Sequence, residues 1–181
     1  MNYTNLFTNG YQKFKIDKTN LKYLNIIKQS VSSNSKKIIN KDIKLDLIHE
    51  LNFNKISFND FRLLNFKMIN QDKKLHENLF NLYKKNLFEL LGPDISVQKN
   101  VNFAIQRPND QNRAPFHKDS PPNSPYELVI WLPLVDCNKT MSMYFFPINK
   151  SKYIQKSLSN KKSINLDSFS NKYCKLINCK F

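Results

Sequence analysis

Residues 101–107 read Val101-Asn102-Phe103-Ala104-Ile105-Gln106-Arg107. Apolar Val101, Phe103 and Ile105 alternate with polar Asn102 and Gln106, which is the period of a half-buried strand. Just upstream the period is different. Leu75, Leu79, Leu82, Leu87, Leu90 and Leu91 recur at helical spacing, and the run stops at Gly92-Pro93, a helix-terminating pair. The chain therefore changes its hydrophobic period near residue 94. Helices first and strands afterwards describe an α+β chain.

Working upstream, Leu21, Leu24, Ile27 and Val31 mark a helix that Asp17 or Thr19 can cap. Ile43, Leu47, Ile48 and Leu51 mark a second after Asn40, and Ser57-Phe58-Asn59-Asp60 opens a third. Tyr11 to Ile16 reads as a short strand. Downstream, Arg107-Pro108-Asn109-Asp110-Gln111-Asn112 is rich in turn formers. Tyr126 to Leu132 reads as a mostly buried strand, and Met141 to Phe146 as another. A helical or irregular insert follows, with a last strand over Tyr173 to Asn178. The expectation is one domain over 1–181, helical over 1–93 and β-rich over 94–181.

With 40% hydrophobic residues, fourteen Phe and eight Tyr, the 181-residue chain has enough apolar matter for a core. Its net charge of +15 raises the question of nucleic acid, but the pattern argues against it. The basic residues are nearly all Lys, spread along the chain, and the arginines are Arg62, Arg107 and Arg113. Base readers and bidentate phosphate clamps favour Arg. An anionic ligand is still attracted by such a charge. Cys137, Cys174 and Cys179 carry no export context and read as reduced thiols. No segment is long and apolar enough to read as a membrane span, and no leader is evident, so the expectation is a cytoplasmic chain without membrane partners.

The chemistry-bearing stretch is Phe116-His117-Lys118-Asp119. In extended backbone, residues i and i+2 point to the same side, so His117 and Asp119 converge. One imidazole and one carboxylate supply two corners of the facial triad that holds non-haem Fe(II). His-x-Asp by itself recurs by chance, and a surface His beside a turn Asp reads the same way.

The surroundings add to it. The run from Gln98 through Arg107-Pro108-Asn109-Asp110 to His117-Lys118-Asp119 continues as Asn123-Ser124-Pro125-Tyr126-Glu127-Leu128-Val129-Ile130-Trp131-Leu132-Pro133. Lys139-Thr140-Met141-Ser142-Met143 then follows. This stretch, about Leu90 to Pro147, resembles the 2-oxoglutarate/Fe(II) oxygenases of bacterial carbohydrate-biosynthesis clusters, relatives of the phytanoyl-CoA dioxygenase group. The resemblance implies a double-stranded β-helix (jelly-roll) core preceded by helices. It also implies Fe(II) and 2-oxoglutarate as cofactor and cosubstrate, O2 as oxidant, and hydroxylation or oxidation of a sugar or related small molecule. His117 and Asp119 are then both metal ligands and catalytic residues.

Candidates for holding 2-oxoglutarate are Gln98, Asn102 and Gln106, on one face of their strand, with Trp131 as an aromatic wall and Arg62 as a cation. A solvated sheet face, a core Trp and an exposed helix Arg are the plainer readings of the same residues. The sequence departs from the family pattern in having no His after His117. His49 and His76 fall in the helical part and read as ordinary surface or interface residues. The expectation is therefore a chain lacking the family's C-terminal strands. The alternative is a jelly-roll protein that binds a carbohydrate or nucleotide-sugar without iron.

Overall fold

In the computed structural model the described residues are 3–107, 110, 127–138, 142–160 and 165–177. They divide into two compact units, Lys15–Ala114 and Met1–Phe14 with Pro115–Phe181.

Three helices organise the first unit: α2 (Leu21–Ile39), α3 (Phe58–Gln71) and α4 (Lys73–Leu91), after α1 (Thr4–Asn9), which belongs to the second unit. Leu24, Ile27 and Val31 of α2 are buried, the stripe expected from their spacing. They share the core with Phe61 and Ile69 of α3 and Leu75, Leu82 and Tyr83 of α4. Side-chain hydrogen bonds set the register between helices. Asn20 Nδ2–H donates to Leu82 O (3.3 Å), and the Ser30 hydroxyl to Asp72 Oδ2 (2.7 Å). Ten residues along α2 thus match ten along α4, so the two helices run antiparallel. In the buried centre, the Ser35 hydroxyl donates to Asn65 Oδ1 (2.8 Å), and Asn65 Nδ2–H to Phe61 O (3.0 Å). Both residues are fully buried, so these bonds offset a desolvation cost of about 1–3 kcal/mol per polar group.

The helix ends follow from the local sequence. Ser57 caps α3 through the Asp60 N–H (3.0 Å), as expected from Ser57-x-x-Asp60. Asp17 accepts from the Thr19 hydroxyl (2.7 Å) and the Asn20 N–H (2.9 Å), so both residues singled out for capping shape the turn into α2. Asp72 closes α3 and caps α4 at the Leu75 N–H (3.0 Å), leaving a one-residue corner between the two helices. Gly92 ends α4 at φ 84°, ψ 177°, a conformation open only to glycine.

Three expectations need correction. The second helix is a six-residue 3-10 turn, Leu45–Glu50. Of the apolar residues that marked it, Ile43 and Ile48 are buried with Leu51 packed beside them, as is Leu45, while Leu47 is exposed. Tyr11 to Ile16 forms no strand; Tyr11 instead packs edge-on against Phe145 (4.4 Å) in the second unit. Residues 127–132 lie in no ladder, and Leu128, Val129 and Ile130 are exposed, so this is not a buried strand.

In the second unit, β1 (Met143–Phe145) pairs antiparallel with β2 (Lys175–Ile177), Tyr144 opposite Leu176. Both lie within expected strands. The insert between them is helical, α5 (Ile148–Ser159) and α6 (Leu166–Tyr173). Phe169 joins α5, α6 and the end of β1 by contacting Tyr153 (stacked, 5.7 Å), Tyr173 (4.6 Å) and Phe146 (5.5 Å). No helix among the described residues is long and apolar enough to cross a membrane.

Asp72 provides a test of the helical corner. Partial burial pushes its carboxyl up, but the Ser30 hydroxyl, the N–H groups of Leu75 and Lys74 and nearby His76 outweigh this. The net position is below the usual carboxylate value. A carboxyl lowered by folding stabilises above its unfolded pKa of about 3.9, and that contribution is lost as pH falls through the folded value. Asp72→Ala is expected to cost about 1–2 kcal/mol at neutral pH. In urea titrations its deficit relative to wild type should narrow between about pH 5 and pH 3. A deficit that stays constant or widens on acidification contradicts the role given to the charge.

Candidate functional site

One face of α3 holds the segment that begins at Val101. Val101 N–H donates to Asn70 Oδ1 (2.7 Å), and Asn70 Nδ2–H donates to Val101 O (3.1 Å). A side-chain amide thus supplies the donor and acceptor that a neighbouring strand would present. At the other end, Arg62 Nε–H donates to Ile105 O (2.7 Å). Asn70 and Arg62 lie eight residues apart, about 12 Å along a helix. Val101 and Ile105 lie four apart, about 13 Å along a strand. The two repeats are commensurate, and the segment runs opposite to α3.

Between these points the expected alternation holds without a ladder. Ile105 is buried with Phe61, Ile43 and Ile48, with Phe103 packed against them, while Asn102, Ala104 and Gln106 are exposed. Arg62 continues from Ile105 to an ion pair between Nη2 and Asp110 Oδ2. The side chains are only 17% and 10% exposed, so the pair is largely screened from water. Asp110 N–H also donates to Arg107 O (3.2 Å). Arg62, one of the residues singled out for an anionic cosubstrate, is therefore committed to the protein's own backbone and carboxylate.

Next to this pair is an aromatic shelf. Phe53, Phe58 and Phe61 pack with centroids 5.1–6.4 Å apart. Arg62 lies over Phe58 (4.2 Å), and Arg107 lies over Phe58 (5.0 Å) and Phe53 (5.5 Å). Two guanidinium groups thus share one ring, a favourable use of the negative ring face.

His117 and Asp119 lie outside the described residues, as do Ser124, Tyr126, Thr140 and Arg113. Gln98, Asn102 and Gln106 are all exposed. Trp131 is half-buried and belongs to the second unit. His49 is exposed beside Glu50 (3.6 Å), and His76, on α4, has a buried Nε2 with no hydrogen-bond partner. Among the described residues no three His, Cys, Asp or Glu side chains come together in a metal-binding group. Cys137 and Cys174 form no disulfide, and burial pushes the Cys174 thiol up, away from thiolate chemistry.

Sequence reasoning missed Asn70, Asp110 and the pairing role of Arg62. The only signal was the scarcity of arginine, since a largely Lys-based chain that keeps three Arg uses them where a planar fork matters. Removing one partner of a mostly buried pair leaves an uncompensated charge, so Asp110→Ala is expected to destabilise by about 3 kcal/mol. Asp110→Asn should fall between it and wild type. Equilibrium unfolding in urea measures both, and a loss below about 0.5 kcal/mol places the pair in the class of exposed ion pairs. No protein-family model, curated protein or solved structure matches this chain.

Proposed function

We propose that the chain carries part of a jelly-roll oxygenase that uses Fe(II) and 2-oxoglutarate, with His117 and Asp119 as two iron ligands. The observation that carries this reading is the i, i+2 imidazole–carboxylate pair His117 and Asp119 within the stretch from Leu90 to Pro147 that resembles these oxygenases. One imidazole nitrogen and one carboxylate oxygen also form a donor set suited to Fe(II) with open positions. When bound, the iron and 2-oxoglutarate supply the O2-dependent oxidation; the protein's part is to position substrate and exclude water. The substrate class proposed is a sugar or related small molecule, as the resemblance over Leu90 to Pro147 implies.

The test is anaerobic Fe(II) titration with 2-oxoglutarate, carried out on the product of the whole reading frame. The expected result is a metal-to-ligand charge-transfer absorption that needs both additions. It should disappear in His117→Ala and in Asp119→Ala while the far-ultraviolet dichroism of both variants stays that of wild type. Absence of the band in wild type sinks the iron assignment.

A second reading holds where the whole reading frame supplies no His after His117. In that reading the same fold binds a carbohydrate or nucleotide-sugar without metal. It predicts sugar-ligand binding that neither iron nor the Asp119→Ala substitution alters.

A further inference from the structure

We propose that Arg107 is an anion-binding group, presented on the shelf of Phe53 and Phe58 to take the oxyanion of a carboxylate or phosphate ligand. The inference is independent of the iron assignment.

The arginines are differently engaged. Arg62 spends Nε–H on the Ile105 carbonyl and Nη2 on Asp110, so its charge is neutralised internally. Arg107 is different. Its guanidinium carbon lies over the Phe58 and Phe53 rings, 5.0 Å and 5.5 Å from their centroids, and among the described residues it has no carboxylate, carbonyl or hydroxyl partner. Contact with the ring faces commits none of the five guanidinium N–H donors to a conventional acceptor. It also removes rotamer freedom before any ligand arrives, which lowers the ordering cost of binding. An oxyanion matches a guanidinium edge bidentately, with shorter and stronger hydrogen bonds than neutral acceptors make.

The surroundings suit a ligand more than an ordinary surface cation. Arg107 is half-buried, at the end of the segment that Asn70 and Arg62 pin to α3, and its own carbonyl accepts from Asp110 N–H. The position is thus fixed from both sides. The Asp110 carboxylate is engaged by Arg62, and the pairing offsets the negative charge nearest in sequence. The chain's net charge of +15 further favours anion approach.

The chain has three arginines, so selective 15N labelling of Arg gives at most three guanidinium Nε–H signals. Arg107→Lys assigns the Arg107 signal by its loss. The Arg62 signal, held at Ile105 O, reports in each sample that the first unit is folded. The metal-free chain is titrated with inorganic phosphate and, separately, with glutarate, sodium chloride keeping the ionic strength constant. The expected result is a saturable shift of the Arg107 signal by at least one of the two anions, with half-saturation on the order of 1 mM. The anion that saturates it identifies the ligand chemistry. Ligand-observed NMR should show binding at least tenfold weaker in Arg107→Lys, which keeps the charge but loses the planar fork. A shift that is linear, that chloride reproduces, or that Arg113 shares in full reflects screening and overturns the proposal. Unchanged binding to a folded Arg107→Lys also overturns it. Because no iron is added, failure here leaves the iron assignment standing, and failure of the charge-transfer test leaves this one standing.

Discussion

The first unit depends on a match of two repeats: two helical turns and a little more of α3 equal four residues of extended chain. Asn70 and Arg62 exploit that match to satisfy the backbone of Val101 and Ile105. A partly buried extended segment otherwise needs a neighbouring strand for its N–H and C=O groups, each costly to leave unpaired. Here a helix takes the strand's place, and Ile105 and Phe103 can enter the core beside Phe61 without a sheet. Helix α3 can serve this way because it is itself fixed, by Ser35 on α2 through Asn65 and by the Asp72 corner leading into α4. The order of dependence runs from α2 to α3 to the segment approaching residue 111.

What was legible in the sequence follows the range of each interaction. The bodies of α2, α3 and α4, the Ser57 cap and the Gly92 stop rest on residues within a turn or two, and all were readable. The 3-10 turn at Leu45–Glu50 shares its apolar spacing with an α-helix, so periodicity does not separate the two over six residues. Strand burial is less local still. Leu128, Val129 and Ile130 look like a core strand because the residues are β-prone, yet their exposure depends on what lies beside them.

The site was less legible than the fold. Arg62 and Asp110 are 48 residues apart, and neither carries a local pattern that points to the other. Asn70, read in isolation, is a polar residue near a helix end; its role comes from the position of Val101. Charge count is equally uninformative about place. Lys36 and Asp42 form an exposed pair at 2.7 Å with little energetic weight, while Arg62 and Arg107 sit on one aromatic ring in opposite states of neutralisation. For a chain this basic, the chemically distinctive cations are those held against rings.

The exposed run Leu128-Val129-Ile130 has a practical consequence for the protein in solution. Three apolar residues in series, exposed and outside any ladder among the described residues, form a patch at which two copies can meet. Glu127 precedes the run as a gatekeeper charge, and Pro133 follows after Trp131 and Leu132. The net charge of +15 opposes the same encounter by repulsion between copies. That repulsion reaches only about 8 Å at physiological ionic strength and shortens further with added salt. Colloidal behaviour is then a contest between a short sticky segment and a diffuse cloud of lysine charge, in which concentrated salt sides with precipitation.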